Sequence, residues 1–162
     1  MGLVTFENEF SVAVPPAKLF KVYCLETDTL IPKILPQSIK SSEIIEGNGG
    51  PGTIRKLITL LISLAGKGLT YVKQKIETID EENFAYSFSL IESNVWMEGV
   101  EKVIFEHTFV PTPEGGSICK RTSKYYIKDG AEIKEDQIKK DGKKTEGLFK
   151  AVEAYFLANP DA

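Results

Sequence analysis

Apolar and polar residues alternate with period two through most of the middle of this chain, then switch to helical spacing near its end. The opening, Leu3 to Ala13, sets Glu7 and Glu9 against Phe6, Asn8 and Phe10 and reads as a strand. Pro15-Pro16 ends it and presets a helix over Ala17 to Tyr23. A second short helix is expected from Thr27 to Ile34, capped by Thr27 or Asp28 and closed near Pro36. From Ile39 to about Tyr126 the chain reads as six strands joined by hairpins, hence an antiparallel sheet. The breaks fall at the glycine-dense run Gly47 to Gly52, at Ala65-Gly66-Lys67-Gly68, at Asp80 to Asn83, around Glu92 to Gly99, and at Pro111 to Gly116. Glu132 to Ala158 contains no proline, and its Leu148, Phe149, Val152, Tyr155 and Phe156 form an apolar stripe at helical spacing. Asn159-Pro160 stops it. The long helix is the one element large enough to cover the apolar face of such a sheet, so the sheet is expected to wrap around it.

Period two also assigns faces. On the later strands Phe84, Tyr86, Phe88 and Leu90 point inward, as do Val103, Phe105, His107 and Phe109. Because Lys120, Thr122 and Lys124 belong in water, Cys119, Arg121, Ser123 and Tyr125 are sent to the interior. Following the helix stripe backwards from Leu148 by three- and four-residue steps reaches Thr145, Lys144, Asp141 and Ile138. Burying Arg, Lys, Asp and His is costly unless they are paired or hydrated. An interior that is partly hollow and wet accommodates them, and a hollow lined by aromatics with a few convergent polar groups is a small-molecule site. The alternative is a splayed sheet whose rim lets the charged ends snorkel to solvent.

Composition narrows the class. The chain has 162 residues and is expected to form one domain over 1–162, large enough for a core without staples. Its 42% hydrophobic and 27% charged residues are those of a soluble globular protein. A net charge of −3, with no basic stripe, argues against nucleic acid as the main partner. No apolar run is long enough to span a bilayer, and the start lacks the pattern of a secretion signal or a myristoylation site, so no membrane partner and a cytoplasmic location are expected. Cys24 and Cys119 fit no zinc or CxxC spacing and read as reduced, buried thiols; no metal and no cofactor is expected.

The run Glu46-Gly47-Asn48-Gly49-Gly50-Pro51-Gly52-Thr53 holds four glycines in six residues and invites comparison with phosphate-binding loops. It lacks the Lys of a Walker loop, and the next segment, Thr53 to Leu60, is strand-like rather than helical. The Rossmann fingerprint fails for the same reason. A structural turn between strands is the simpler reading, with an anion site as the alternative.

Several segments together resemble the plant pathogenesis-related class ten proteins, the family of the major birch-pollen allergen. They include Val14-Pro15-Pro16-Ala17-Lys18-Leu19-Phe20, Glu43 to Ile54, Tyr86 to Glu92, Gly115-Gly116-Ser117-Ile118, and Phe149 to Pro160. The likeness runs in order along the whole chain. It implies an α+β, START-like helix-grip fold: a seven-stranded curved antiparallel sheet gripping a long C-terminal helix, two short helices after strand 1, and an internal cavity. It further implies a monomeric or weakly dimeric, intracellular, defence-related protein. Such a protein binds small amphipathic metabolites or hormones of flavonoid, cytokinin, abscisic-acid-like or sterol-like type, for storage, transport or signalling. The ligand-contacting set expected here is Tyr23, Ile39, Leu57, Tyr86, Phe88, Leu90, Phe105 and His107, with Cys119, Arg121, Tyr125, Asp141, Lys144, Thr145 and Leu148.

Two departures from the family pattern stand out. The third strand ends in the apolar Thr59 to Gly66 instead of a Phe-Gly-Glu-Gly type turn, which leaves the third hairpin open. His107, Arg121, Asp141 and Lys144 stand where apolar or small polar residues are commoner, pointing to a more polar or anionic ligand. The resemblance also raises two enzymatic alternatives. One is a ribonuclease using Glu101, Glu153 and Tyr155; the other is a condensing activity of the alkaloid-pathway kind using Asp141, Lys144, His107 and Tyr86.

Overall fold

Two prolines turn the chain from sheet to helix. In the computed structural model, which describes residues 2–63, 66–94 and 98–162, β1 (Gly2–Val12) runs to an extended Pro15 at the N-cap of α1 (Pro16–Phe20). Pro16 sits in the first turn, where its missing N–H costs nothing. The expected helix over 17–23 is only partly α-helical. From Lys21 to Leu25 it widens into a π turn, closed by the Glu26 N–H donating to the Lys21 carbonyl at 2.8 Å. No spacing rule flags this widening; π turns recur at functional sites, and this one carries Tyr23 and Cys24.

α2 (Thr27–Ile34) occupies the expected span, but its N-cap is Glu26, with no side-chain cap. Neither Thr27 nor Asp28 caps it, because both already stand inside the helix as its first two residues. Thr27 is buried, and the Asp28 carboxylate accepts from Ser42 Oγ at 2.6 Å and from Arg55 Nε at 2.6 Å.

The rest of the sheet is a meander: β2 (Ile39–Glu46), β3 (Ile54–Ser63), β4 (Gly66–Asp80), β5 (Ala85–Ser93), β6 (Val100–Pro111) and β7 (Ser117–Ile127). All neighbours are antiparallel, in the order β1-β7-β6-β5-β4-β3-β2. Gly66, Lys67 and Gly68, expected in a turn, are strand residues of β4, because β3 and β4 pair out to Ser63 and Gly66. The tip of that third hairpin, 64–65, and residues 95–97 of the expected break at 92–99 lie outside the described residues. Phe84 falls in the turn before β5 at φ 51°, yet its ring still packs inward on Phe20 at 5.9 Å.

The glycine run is the β2–β3 turn. Gly47 has φ 96°, and a Cβ there would stand 2.8 Å from Thr53 Cα, so this position needs glycine on both counts. The amides of the loop serve the loop and the sheet. Gly49 donates to Thr53 Oγ1, Gly50 to Asn48 Oδ1, Thr53 to the Gly50 carbonyl and Gly52 to the Ile76 carbonyl. A phosphate cradle needs these N–H groups free, so the turn reading holds.

α3 (Glu135–Ala158) starts three residues later than expected and turns Ile138, Phe149 and Val152 into the interior. Phe149 and Val152 pack with Phe10, Leu19, Phe20 and Phe109, while Ile138 joins Val100, Val103, Phe105 and Tyr125 in a second cluster. Gly142 and Gly147 lie inside this helix, where glycine costs roughly 1 kcal/mol against alanine. At Gly147 an added Cβ meets nothing within 4 Å. Gly147→Ala is therefore expected to stabilise the protein by about 0.5–1 kcal/mol, read as a higher urea midpoint at unchanged slope. An unchanged or lower midpoint would contradict this.

Candidate functional site

Between the two apolar clusters the sheet and α3 do not close on each other. They leave a cavity of about 300 Å³, bounded also by the π turn and α2. Its apolar wall includes Ile31 of α2 and Leu35 at the C-cap of that helix, Leu57 of β3, Val72 and Ile76 of β4, and Phe149 of α3. A broader recess of about 670 Å³ between Glu98-Gly99 and 128–137 is formed by mostly exposed residues.

Of the expected ligand-contacting residues, the sheet brings Ile39, Leu57, Tyr86, Phe88, Leu90 and Phe105 to this cavity, together with His107 and Arg121. The helical elements bring Tyr23, Asp141, Lys144, Thr145 and Leu148. Cys119 and Tyr125 do not border it. Cys119 is packed between its cross-strand neighbours Phe10 and Phe109, and Tyr125 fills the second cluster, its ring edge-on to Phe105 at 6.4 Å. Both face inward as expected, but where helix and sheet touch rather than where they part.

Lys144 is exposed overall and edges the cavity, so the rim alternative applies to it; His107 and Arg121 lie well inside, at 6% and 7% exposure. Arg55, Thr27 and Cys24 also border the cavity and were not singled out. The signal for Arg55 was present: it shares the inward face of β3 with Leu57, two residues on.

The polar groups form two paired sets. Tyr86 OH and His107 Nδ1 are 3.0 Å apart, and the Arg121 guanidinium donates to Asp141 Oδ2 at 3.1 Å while lying 4.4 Å over the Phe105 ring. Burial, reinforced by nearby Arg121, lowers the His107 pKa to about 3 and so keeps the imidazole neutral. Burial likewise pushes the Tyr23 and Tyr86 phenols well above their usual range. It lifts the Cys24 thiol to about 11 and the Cys119 thiol to about 12. Tyr125 rises to about 12, chiefly through burial and then through the charge of Asp141. Among the described residues four buried side-chain atoms lack a hydrogen-bond partner: Tyr23 OH, Thr27 Oγ1, His107 Nε2 and Arg121 Nε. All four belong to residues that line the cavity.

The ribonuclease candidates are not brought together. Glu101 is exposed at the β6 end that pairs with Ile127, whereas Glu153 accepts from the Ala13 N–H beyond the other end of the sheet. Ten strand residues, roughly 30 Å, separate these ends. Tyr155 packs beside Phe156 against the first cluster. Within the cavity, Asp141 is engaged by Arg121, and an imidazole titrating near 3 is a weak base at neutral pH. Among the described residues no group of three or more His, Cys, Asp or Glu side chains is placed to hold a metal. Among the same residues no helix is long and apolar enough to cross a membrane.

The model of the Pathogenesis-related protein Bet v 1 family matches residues 1–159. Major allergen Pru av 1 of Prunus avium is 47% identical over 162 residues, covering 100% of this chain and 99% of that one. The crystal structure of Ara h 8.0201 superposes with a TM-score of 0.81 at 37% identity, over 97% of this chain and 99% of that one. Norcoclaurine synthase from Thalictrum flavum, at 22% identity and a TM-score of 0.72 over 96% of this chain and 87% of that one, shares the fold alone. With a family match over nearly every residue and a relative this similar from end to end, the chain belongs to the Pathogenesis-related protein Bet v 1 family.

Proposed function

We propose that this protein is a non-enzymatic binder of small amphipathic metabolites or hormones, held in the internal cavity for storage, transport or signalling. The observation that carries the reading is the coincidence of four unpartnered buried polar atoms with one largely apolar cavity. A buried donor or acceptor left unmade costs about 1–3 kcal/mol. A chain that leaves four of them around one void is built to have them met by a guest, with aromatic and aliphatic walls taking the apolar body. The volume of about 300 Å³ suits one small ring system rather than a polymer. Two free, buried cysteines suit a reducing compartment, and the reading places the protein in the cytoplasm.

The test is a neutral fluorescent probe, N-phenyl-1-naphthylamine, whose emission rises on leaving water. Wild-type protein is expected to bind it, and Leu57→Trp, which puts a larger ring on the cavity wall, should weaken binding ~10-fold or more. Thermal melting of the variant checks that its fold survives, since overpacking costs about 1–3 kcal/mol. No binding by wild type, or undiminished binding by a folded Leu57→Trp, would sink the proposal.

A further inference from the structure

We infer that the cavity contains a subsite for one anionic group, formed by Arg121 Nε and His107 Nε2, and that its occupant is an amphipathic monoacid: an apolar ring system bearing a single carboxylate. The inference rests on the cavity reading above and adds the charge of the guest.

Geometry comes first. His107 of β6 and Arg121 of β7 are direct cross-strand partners with both side chains turned inward, so their side chains rise from adjacent points on one wall. Each is pinned by another of its polar atoms. Arg121 donates outward to Asp141 and lies on the Phe105 ring; His107 uses Nδ1 with Tyr86. What remains is Arg121 Nε and His107 Nε2, both buried and both unpartnered. With the Tyr86 hydroxyl donating to Nδ1, the imidazole proton sits on Nε2, and the wall offers two N–H donors. An oxyanion accepts from both, and hydrogen bonds to a charged acceptor are the stronger kind.

Charge balance points the same way. The ionic side chains around the cavity are Arg55, Arg121 and Lys144 against Asp141, and Arg55 is paired with Asp28 just outside it. Three cations less two anions leave one positive charge. A monoanion neutralises it; a neutral guest leaves it, and a cation doubles it. Asp141 also acquires a role. Its side chain is 41% exposed, and it shares one guanidinium with the guest, so it orients Arg121 while competing for its charge.

The experiment compares 1-naphthaleneacetic acid with 1-naphthaleneacetamide by calorimetric titration at pH 7, where the ring is the same and only the acid is ionised. Wild-type protein is expected to bind the acid ~10-fold or more tighter than the amide. In Arg121→Met combined with Asp141→Asn, which leaves no carboxylate without its partner, the preference should vanish, with acid and amide affinities within ~2-fold of each other. Asp141→Asn alone should tighten the acid and widen its preference over the amide, a gain that structural damage does not produce. Equal affinities in wild type, or a preference that survives the double substitution, would overturn the subsite while amide binding leaves the cavity reading standing. Binding of neither probe would overturn both.

Discussion

His107→Gln is expected to flatten the acid side of the stability profile between pH 6.5 and 4.5. An unfolded imidazole takes up its proton near pH 6.5, but in the folded protein burial, with Arg121 beside it, defers protonation to about pH 3. Between those values the unfolded state binds a proton that the folded state does not. Stability is therefore complete above pH 6.5 and is lost as the pH falls toward 3. From pH 6.5 to 4.5 this one group costs wild type about 2 kcal/mol, since each unit of pKa difference is worth on the order of 1 kcal/mol.

Glutamine does not titrate, and its amide can still accept from the Tyr86 hydroxyl, so the variant tests the charge rather than the packing. Urea unfolding at several pH values measures the difference. Asp80 and Glu92, both held below their usual pKa by hydrogen bonds, begin to contribute only toward the lower edge of the window, and they do so equally in both proteins, so the difference cancels them. Parallel profiles for wild type and His107→Gln would show that the imidazole gains its proton without unfolding.

The second large effect is expected at the ion pair that ties α2 to the sheet. Asp28→Ala should destabilise the protein by about 3 kcal/mol, the lower part of the range for breaking a buried pair. Arg55 is 4% exposed and meets the Asp28 carboxylate twice, through Nε at 2.6 Å and through a terminal nitrogen at 3.3 Å. Removing the carboxylate strands that guanidinium and leaves Ser42 Oγ without its acceptor. Asp28 is 28% exposed, so water can enter on its side and soften the loss.

The size of the effect comes from the stranded charge, not from attraction alone, and a second variant separates the two. Arg55→Met with Asp28→Leu removes both charges together and should recover most of the stability, because the desolvation penalty disappears with the Coulomb gain. Chemical denaturation of the three proteins decides it. An Asp28→Ala variant within ~0.5 kcal/mol of wild type would mean that the pair is solvated and adds little.

Both effects lie on inward faces that period two assigns, and the two differ in how far that assignment reached. His107 was legible because Val103, Phe105 and Phe109 fix the inner face of its strand and place it there. Arg55 obeys the same rule with Leu57, but nothing local announces that α2 will deliver Asp28 to it from 27 residues away. Cys119 and Tyr125 show the converse. Alternation sends them inward correctly, and the structure then places them in packed clusters instead of against the void.

Taken alone, the sequence determined the order of elements, the inner faces of β5 to β7, the apolar stripe of α3, the turn character of Gly47 to Gly52 and the family likeness. Each of these is a local property: alternation, helical spacing and backbone freedom are written into neighbouring residues. Tertiary structure alone decided where sheet and helix part to leave about 300 Å³, which inward side chains meet that space, the π turn that carries Tyr23 to it, and the distance that separates Glu101 from Glu153. A void is the difference between the volume that the backbone encloses and the volume that its side chains fill. That difference depends on residues far apart in the chain, and no window of neighbours contains it.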